Sequence, residues 1–323
     1  MSAVRVLVTG GAGFIGSNFT KMALSGKFSE ISSIRVLDKF TYSGVHSNLT
    51  PFHLSHDFDL VVGDITNPSD VATACKGIDA VINFAAESHV DKSIENSSEF
   101  IATNIDGVRV LMERCLKQDL KVVHVSTDEV YGSIEIGSWD EESPLKPNSP
   151  YAASKAAGDL IARSFFKTFG ANVVTTRCSN NYGPNQFPEK LIPSFITKLL
   201  TGDSVPLYGT GIQIRDWLHV TDHCNGIALA LARGDAGEVY NFGGGKELTN
   251  LELTRVILSK IGFGEEKIKY VEDRKGHDYR YSVSWKKAQI ELGYEPVVSF
   301  DTGISETLMW YQDNTTWWKP LLV

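Results

Sequence analysis

Two side chains in the stretch "YAASK" have the types and the spacing for proton transfer. Tyr151 and Lys155 are four residues apart, which places them on one face of a helix. A phenol is a poor base at neutral pH, but a nearby ammonium group favours the phenolate and lowers its pKa. The pair could then take a proton from an alcohol while a hydride acceptor oxidises it. Ordinary surface helices also have this spacing, so the pair alone decides nothing.

The stretch "STDEVYG", residues 126–132, adds a hydroxyl and two acids. A strand-like run, "KVVHVS", leads to Thr127, and the adjacent carboxylates Asp128 and Glu129 follow. Thr127 could hydrogen-bond the alcohol oxygen that Tyr151 deprotonates. Adjacent acids repel each other at the end of a buried strand, which raises the pKa of one member of the pair. On a solvated turn the same pair would carry no chemistry, so its meaning depends on the surrounding fold.

The elements that must position these side chains alternate between strands and helices. "VRVLVTG", "SIRVLD", "FDLVVGDI", "IDAVINFAA", "KVVHVST" and "NVVTTRC" are short apolar runs typical of buried strands. The longer helices are predicted at residues 14 to about 24, about 98 to 117, and 151 to about 169. Continuous apolar strands joined by helices indicate a parallel sheet covered on both faces, whose ligands bind at the carboxyl ends of the strands.

Beyond residue 180 the alternation stops, and "SNNYGPNQFPEKLIP" is rich in turn-forming residues. "EVYNFGGG" is typical of one more strand that returns to the sheet. We therefore predict an α/β fold, a Rossmann-type doubly wound parallel sheet formed by residues 1–180 plus about 216–244. A smaller mixed α/β C-terminal substrate lobe would comprise about 181–215 plus 245–323. The lobe should close over the strand ends and contribute substrate contacts.

The stretch "VTGGAGFIGS", residues 8–17, joins the first strand to the first helix. Gly11, Gly13 and Gly16 have the G-x-G-x-x-G spacing, and Gly10 precedes them. Such a turn lets backbone N–H groups approach a pyrophosphate at the helix N-terminus. Because a strand precedes the glycines and a helix follows them, the motif predicts a dinucleotide site.

An acid at the end of the second strand narrows the choice of dinucleotide. Asp38 lies 22 residues after Gly16, where a carboxylate binds the ribose diol of NAD. It would repel the 2′-phosphate of NADP, and the adjacent Lys39 weakens this preference only slightly. The predicted cofactor is therefore NAD.

Composition and charge argue against several other classes of protein. The chain has 323 residues and a net charge of −8, which disfavours nucleic acid or an anionic membrane as the main partner. No apolar run approaches the length of a membrane span, and the start of the sequence does not resemble a signal peptide. The cysteines lack C-x-x-C spacing, so we expect buried reduced thiols and a cytoplasmic protein.

A metal site is not expected. His219 and His223 are four residues apart with Cys224 adjacent, but no carboxylate or further histidine completes a metal-binding motif. Thr221 and Asp222 are typical of a helix start.

These motifs together resemble the extended short-chain dehydrogenase/reductase family. More narrowly, the chain resembles its nucleotide-sugar 4,6-dehydratases, and among them the group that acts on dTDP-glucose. The matching stretches span residues 8–281 and include "NFAAESHVD", "STDEVYG", "PYAASKAAGD", "SNNYGPNQFPEKLIP", "RDWLHVTDH" and "RKGHDYRY". "FAAESHVD" and "STDEVYG" are the most specific of them.

The resemblance implies a lyase that borrows NAD and regenerates it in each turnover. In this family NAD oxidises the glucose C4 hydroxyl, and the ketone makes the C5 hydrogen acidic. Water then leaves across C5 and C6, and the hydride returns to C6, giving dTDP-4-keto-6-deoxyglucose. By similarity Asp128 is the acid for the C6 hydroxyl and Glu129 the base at C5, while Thr127, Tyr151 and Lys155 serve the oxidation. Which acid holds the proton before turnover stays open.

The resemblance also implies two sets of binding residues. The NAD set is Gly10, Gly13, Phe14, Ile15, Gly16, Asp38, Lys39, Phe40, Thr41, Asp64, Ile65, Phe84, Ala85, Ala86, Glu87, Ser88, Thr103, Tyr151, Lys155 and Asn181. The nucleotide-sugar set is Ser88, Thr127, Asn180, Lys190, Leu191, Pro206, Leu207, Tyr208, Arg215, Asn250, Asp273, Arg274, Lys275, Gly276 and His277. Lys190, Arg215 and Arg274 would balance a diphosphate, and Tyr208 could stack on a pyrimidine.

Two other functions share parts of this pattern. A nucleotide-sugar 4-epimerase would keep NAD, Tyr151 and Lys155, but it needs no acid–base pair at C5 and C6, so Asp128 and Glu129 argue against it. A non-catalytic NAD-sensing regulator would have no reason to retain all four side chains. The choice of dTDP over UDP and a homodimer through the helices at 98–117 and 151–169 rest on the resemblance alone.

Overall fold

The structure is a computed structural model that describes residues 3–322. Its strands are β1 Val4–Thr9, β2 Ile31–Asp38, β3 Phe58–Val62, β4 Ala80–Asn83, β5 Lys121–Thr127, β6 Val173–Cys178, β7 Asn180–Tyr182, β8 Val205–Tyr208, β9 Ile214–His219, β10 Val239–Phe242, β11 Glu247–Thr249 and β12 Ile268–Val271. Its α-helices are α1 Phe14–Leu24, α2 Pro68–Ala74, α3 Val90–Glu95, α4 Ser98–Ile101, α5 Val108–Lys117, α6 Pro150–Phe169, α7 Leu191–Leu200, α8 Val220–Arg233, α9 Asn250–Ile261, α10 Lys286–Leu292, α11 Phe300–Asp313 and α12 Thr315–Trp318.

A seven-stranded parallel sheet with the order β10-β6-β5-β4-β1-β2-β3 forms the centre of the molecule. Val6 and Val8 of β1 pack into one apolar layer, and Leu7 packs into the layer on the opposite face. Because successive side chains of a strand point to opposite faces, an uninterrupted apolar run suits a sheet with two covered faces. This confirms the predicted doubly wound sheet. Its winding reverses between β1 and β4, where such folds bind ligands.

The C-terminal part of the chain adds two small sheets, β11-β9-β7 and β12-β8. A separate apolar core lies between α7, α9 and α11 and includes Phe195, Ile257 and Tyr311. This confirms a smaller mixed α/β unit beside the large sheet. β10 returns to the large sheet by pairing with β6, as the sequence predicts. The exact division of the chain into two domains stays a prediction.

The helix predicted over residues 98–117 is interrupted by a π-helical segment, Ala102–Gly107, between α4 and α5. Asn104 in this segment is buried, accepts a hydrogen bond from the Glu87 backbone and donates to the Ser154 hydroxyl. π-helical turns are rare, and many of them lie at functional sites. Here the wider turn ties the cleft-lining segment at Glu87 to α6.

Three observations concern disulfides, metal sites and membrane-spanning helices, none of which the sequence predicts. All four cysteines are buried, and none forms a disulfide in the described chain. His219 caps α8 and His223 hydrogen-bonds Asn181, and residues 3–322 contain no cluster of His, Cys, Asp or Glu suited to a metal ion. Among the described helices, none is both long and apolar enough to span a membrane.

Candidate active site

The turn between β1 and α1 brings three backbone segments unusually close together. Gly10 has a φ of +69°, and a Cβ there would lie 2.7 Å from the Ala85 nitrogen. A Cβ at Gly16 would lie 2.4 Å from the Gly10 carbonyl oxygen. Glycine is therefore required at both positions. The close packing leaves the first turn of α1, from Phe14, lining the cleft at the strand ends, where its N–H groups can meet an anion.

Asp38 at the end of β2 is held in place for a ligand. Its two oxygens accept hydrogen bonds from the backbone of Phe40 at 2.8 Å and Ala12 at 2.9 Å. Burial raises the pKa of Asp38, and these two backbone hydrogen bonds together with His46 and Lys39 oppose the rise. A carboxylate has about four acceptor positions, so about two remain for a ribose diol. The glycine cradle and this acid together fit a dinucleotide.

A cleft with a cavity volume of about 300 Å³ runs along the strand ends. Every residue of the predicted NAD set lines it except Phe40. The Phe40 ring instead stacks on His46, with ring centroids 3.6 Å apart. Its backbone has a φ of +54°, and its N–H is the donor to Asp38. Phe40 was predicted to contact NAD, but in the structure it positions Asp38 through this hydrogen bond.

The structure brings the five predicted catalytic side chains into this same cleft. Thr127 Oγ1 accepts a hydrogen bond from the Glu129 backbone at 3.3 Å and lies 3.3 Å from Asp128 Oδ1, to which it donates. Lys155 Nζ is buried and donates to the Val125 carbonyl at 2.8 Å. The hydroxyl, the two acids, the phenol and the ammonium therefore share one space.

The pKa of Tyr151 is raised well above its usual range. Burial is the main cause, followed by Glu129, Cys178 and Asp128, and a hydrogen bond with Thr127 opposes the rise. The net pKa of Tyr151 is therefore raised, whereas the sequence predicted a lowered one, because burial and the nearby acids dominate. Burial also lowers the pKa of Lys155, against the pull of Asp159 and Cys178.

Asp128 and Glu129 lie in different surroundings. Burial raises the pKa of Asp128 well above its usual range, and Glu129 and Asp216 add to the rise. Its Oδ2 has no hydrogen-bond partner among residues 3–322. Burial also raises the pKa of Glu129, but there the largest opposing influences are Arg215 and Lys190. This arrangement favours the proton on Asp128 and the charge on Glu129.

A second cavity of about 460 Å³ adjoins the cleft. Seven of the described residues line both spaces: Ser88, Glu129, Asn180, Asn181, Gln186, Glu189 and Lys190. Most of the predicted nucleotide-sugar set lines the second cavity: Ser88, Asn180, Lys190, Leu191, Pro206, Leu207, Tyr208, Arg215, Asn250, Arg274, Gly276 and His277. Thr127 lines only the cleft. Asp273 and Lys275 line neither, but Asp273 binds Gln213 at 2.9 Å and His277 at 2.7 Å and so shapes the loop.

Three cationic side chains converge on the second cavity. Arg215 donates to the Asp278 carbonyl at 3.0 Å and lies over the Tyr281 ring, 4.3 Å from its centroid. Arg274 pairs with Asp91 at 2.6 Å. Lys190 Nζ donates to the Ser88 carbonyl at 2.7 Å. These groups could balance a diphosphate inside a protein that is acidic overall.

Comparison with known proteins identifies the family. Residues 7–307 match the family model described as GDP-mannose 4,6 dehydratase. The dTDP-glucose 4,6-dehydratase of Streptomyces niveus is 52% identical over 321 residues, which cover 98% of this chain and 96% of that protein. The chain belongs to the nucleotide-sugar 4,6-dehydratase family. This confirms the resemblance noted in the sequence.

Solved structures of the 4,6-dehydratases agree closely with this fold. DesIV, a dTDP-glucose 4,6-dehydratase from Streptomyces venezuelae with NAD and TYD bound, matches with a TM-score of 0.97 at 52% identity, covering 98% of this chain and 99% of its own. A UDP-glucuronic acid 4-epimerase from Bacillus cereus has a TM-score of 0.89, covers 96% of this chain and 99% of its own, and is only 27% identical. This epimerase therefore has a similar fold but a much lower sequence identity to the chain than the dehydratase has.

Sequence reasoning missed several residues of the dehydratase site. The turn "NQFPEK" supplies Gln186, Phe187 and Glu189 as well as the predicted Lys190. No local pattern marks which side chains of a turn face a cavity. Asp91 lines the second cavity and could have been found, because it ends "FAAESHVD", one of the two most specific stretches.

Proposed function

We propose that the chain is an NAD-dependent dTDP-glucose 4,6-dehydratase, a hydro-lyase that forms dTDP-4-keto-6-deoxyglucose and water. The adjacent acids Asp128 and Glu129 carry this proposal. They lie in the cleft beside Tyr151, and Glu129 also lines the second cavity, so the pair stands where the sugar of a bridging ligand would lie. An oxidoreductase or an epimerase has no use for two acids at that position. The relatives that share half of the sequence are dTDP-glucose 4,6-dehydratases.

Tyr151 carries out the first proton transfer. NAD, when bound, accepts a hydride from C4 of the glucose and returns it to C6. Tyr151 takes the proton of the C4 hydroxyl, and Thr127 hydrogen-bonds the same oxygen. The Lys155 ammonium favours the phenolate, and so does a proton on Asp128, because a neutral acid removes one of the charges that raise the pKa of Tyr151.

Asp128 and Glu129 carry out the elimination. Glu129 takes the C5 proton, which the C4 ketone has made acidic. Asp128 gives its proton to the C6 oxygen, and water leaves as the double bond forms between C5 and C6. Since C5 and C6 are neighbouring carbons, an acid and a base on neighbouring residues fit them. Glu129 exchanges this proton with solvent and then protonates C5, and Asp128 takes up the proton that Tyr151 removed from the C4 oxygen, through solvent or the substrate.

The substrate is held through its nucleotide. Lys190, Arg215 and Arg274 bind the diphosphate, and Tyr208 stacks on the thymine. Arg274 lies 5.4 Å from the centroid of the Tyr208 ring and would link the two contacts. The Rossmann-type domain, residues 1–180 plus about 216–244, would bind NAD, while the lobe of about 181–215 plus 245–323 would hold the nucleotide.

We further propose that the enzyme is a homodimer and works in the cytoplasm. Ile101 beside the π-helical segment is 52% exposed, and Leu160 of α6 is 56% exposed. Such apolar side chains suit a helix-to-helix interface. Sedimentation of the wild type and of Leu160→Glu tests the dimer, because the introduced charge should dissociate it.

The four buried cysteines form no disulfide, which suits a reducing compartment such as the cytoplasm. Cell fractionation tests this location.

Incubation of the protein as purified with dTDP-glucose in heavy water, without added NAD, tests the reaction. We expect the sugar to lose one water and to gain one deuterium at C5. Glu129→Gln should block elimination while the bound NAD is still reduced. Glu113→Gln, which neutralises an exposed acid paired with Arg109, is the matched control. An unchanged sugar mass with wild type, or full turnover by Glu129→Gln, would contradict the proposal.

A further inference from the structure

Four side chains outside the catalytic set meet across the cofactor cleft. Tyr42 comes from the loop after β2, His89 and Lys92 from the start of α3, and Glu189 from the turn before α7. Tyr42 and Glu189 are 147 residues apart in the sequence. None of the four has a place in the chemistry described above, so their meeting point needs another explanation.

Glu189 is the centre of this cluster. Tyr42 donates its hydroxyl hydrogen to Glu189 Oε1 at 2.9 Å. Lys92 Nζ lies 3.5 Å from Glu189 Oε2 and also 3.2 Å from the centroid of the Tyr42 ring. His89 Nε2 lies 3.7 Å from the same carboxylate oxygen. The Lys92 ammonium therefore touches both members of the Tyr42–Glu189 pair.

The cluster joins two loops that both line the cleft. Thr41, Ser43 and Gly44, which flank Tyr42, are lining residues of one loop, and Phe187 and Glu189 are lining residues of the other. The Tyr42 ring also packs edge-on against Phe187, with centroids 5.5 Å apart. A hydrogen bond, a cation and an aromatic contact thus hold the two loops together where a dinucleotide would lie between them.

Glu189 is the most shielded member of this pairing. Its side chain is 15% exposed, whereas Tyr42 is 40% exposed and the Lys92 side chain 47% exposed, so water screens the carboxylate less than it screens its two partners. Burial and Glu189 raise the pKa of the Tyr42 phenol, which keeps it a hydrogen-bond donor at every working pH. Opening the cleft between the loops must break all of these contacts together.

We propose that Tyr42, Lys92 and Glu189 form a latch that slows release of the dinucleotide. This inference rests on the proposed function, in which the cofactor is reduced and reoxidised within one turnover. A cofactor lost in its reduced form would strand a keto-sugar that cannot be completed. The latch therefore serves retention and takes no part in the proton transfers.

Exchange of bound radiolabelled NAD for unlabelled NAD, on the desalted holoenzyme without substrate, measures the latch directly. We expect Tyr42→Phe and Glu189→Met each to release NAD about three- to tenfold faster, as the loss of one hydrogen bond implies. The double variant should release NAD no faster than the faster single variant, because both remove the same contact. Lys92→Met should give a smaller increase and leaves the hydroxyl–carboxylate bond intact.

Tyr279→Phe and Glu265→Met are the matched controls, since Tyr279 is exposed and Glu265 pairs with Arg255 away from the cleft. Their release rates should equal that of the wild type. Unchanged release in Tyr42→Phe, or single effects that multiply in the double variant, would overturn the latch. Because the assay uses no sugar, its outcome is independent of water loss from dTDP-glucose, which tests the proposed function.

Discussion

Two buried aspartates of this dehydratase, Asp128 and Asp159, have opposite charge preferences. Each is 2% exposed. Burial raises the pKa of Asp128 well above its usual range, and the acids Glu129 and Asp216 add to the rise, against Arg215 and Thr127. Burial also acts on Asp159, but Arg177 and His124 outweigh it and lower the pKa to about 2.

The difference lies in the partners that the fold supplies. Arg177 Nε donates a hydrogen bond to Asp159 Oδ2 at 2.8 Å. Asp159 Oδ1 has no hydrogen-bond partner among residues 3–322, but it lies 3.4 Å from His124 Nε2. Asp128 receives only a 3.3 Å hydrogen bond from Thr127 on one oxygen, within the described chain. Equal burial thus produces a structural anion in one place and a proton donor in the other. A paired acid stabilises the fold, whereas an unpaired acid is available for chemistry.

The largest expected effect is on catalysis at the unpaired acid. Asp128→Asn should slow elimination about 10²- to 10⁴-fold, because the C6 hydroxyl loses its proton donor. Reduction of bound NAD should continue, since it does not need that proton. Rapid-quench analysis of the sugar together with nicotinamide absorbance separates the two steps. Equal loss of both steps would mean that Asp128 mainly maintains the site.

The next effect is on stability at the paired acid. Arg177→Met should lower the free energy of unfolding by about 3–5 kcal/mol, because it leaves the Asp159 charge buried without its cation. Asp128→Asn should leave that free energy unchanged or raise it, because an amide replaces an acid with an unpartnered oxygen. Urea unfolding measures both variants. A loss of stability in Asp128→Asn as large as in Arg177→Met would remove the contrast.

The pH dependence of stability should have opposite signs at the two acids. The pKa of Asp159 is lower in the folded state, so its contribution of about 2–3 kcal/mol is present above about pH 4 and is lost as pH falls towards about 2. The pKa of Asp128 is higher in the folded state, so its contribution is present below about pH 4 and is lost as pH rises through the folded pKa.

Unfolding of wild type, Asp128→Asn and Asp159→Asn across pH gives both curves by difference. The advantage of wild type over Asp159→Asn should shrink in acid. The stability of wild type relative to Asp128→Asn should fall as pH rises above about 4. Two curves of the same sign would show that the acids are not distinguished by their surroundings.

The smallest effect concerns the outer part of the paired site. Tyr131 accepts a hydrogen bond from Arg177 at 2.7 Å and donates to Asn241 at 2.9 Å. Tyr131→Phe should lower the free energy of unfolding by about 1–2 kcal/mol and leave elimination unchanged. Thermal unfolding measures the loss of stability, and water loss from dTDP-glucose measures the elimination. A loss of activity without a loss of stability would instead tie this network to the chemistry.

Much of the scaffold could be predicted from the sequence because its signals are local. α1 begins at Phe14 and ends at Leu24 as predicted, since a glycine turn and an apolar period mark it. The family of the chain was also predicted, because Asp128 and Glu129 follow a strand within a specific motif. The π-helical segment was not, since it changes the helical period over only a few residues.

Contacts between distant segments explain what sequence reasoning missed. Asp159 follows Lys155 by one helical turn, but its main partner, Arg177, lies on β6 and is reached only through the folded sheet. The same holds for Tyr42 and Glu189. The direction of the Tyr151 pKa shift was predicted wrongly. The sequence spacing indicates that Lys155 lies near Tyr151, but the burial of Tyr151 and its proximity to Cys178 and the two acids depend on the fold.

Carboxyl ¹³C NMR of aspartate-labelled protein tests the central claim most directly, with Asp128→Asn and Asp159→Asn used to assign the two signals. The account predicts that Asp128 titrates well above about pH 4, the usual range of an aspartate. It predicts that Asp159 remains ionised from neutral pH down to the lowest pH at which the protein stays folded. An Asp128 signal that titrates near pH 4, or an Asp159 signal that titrates above it, would contradict the account.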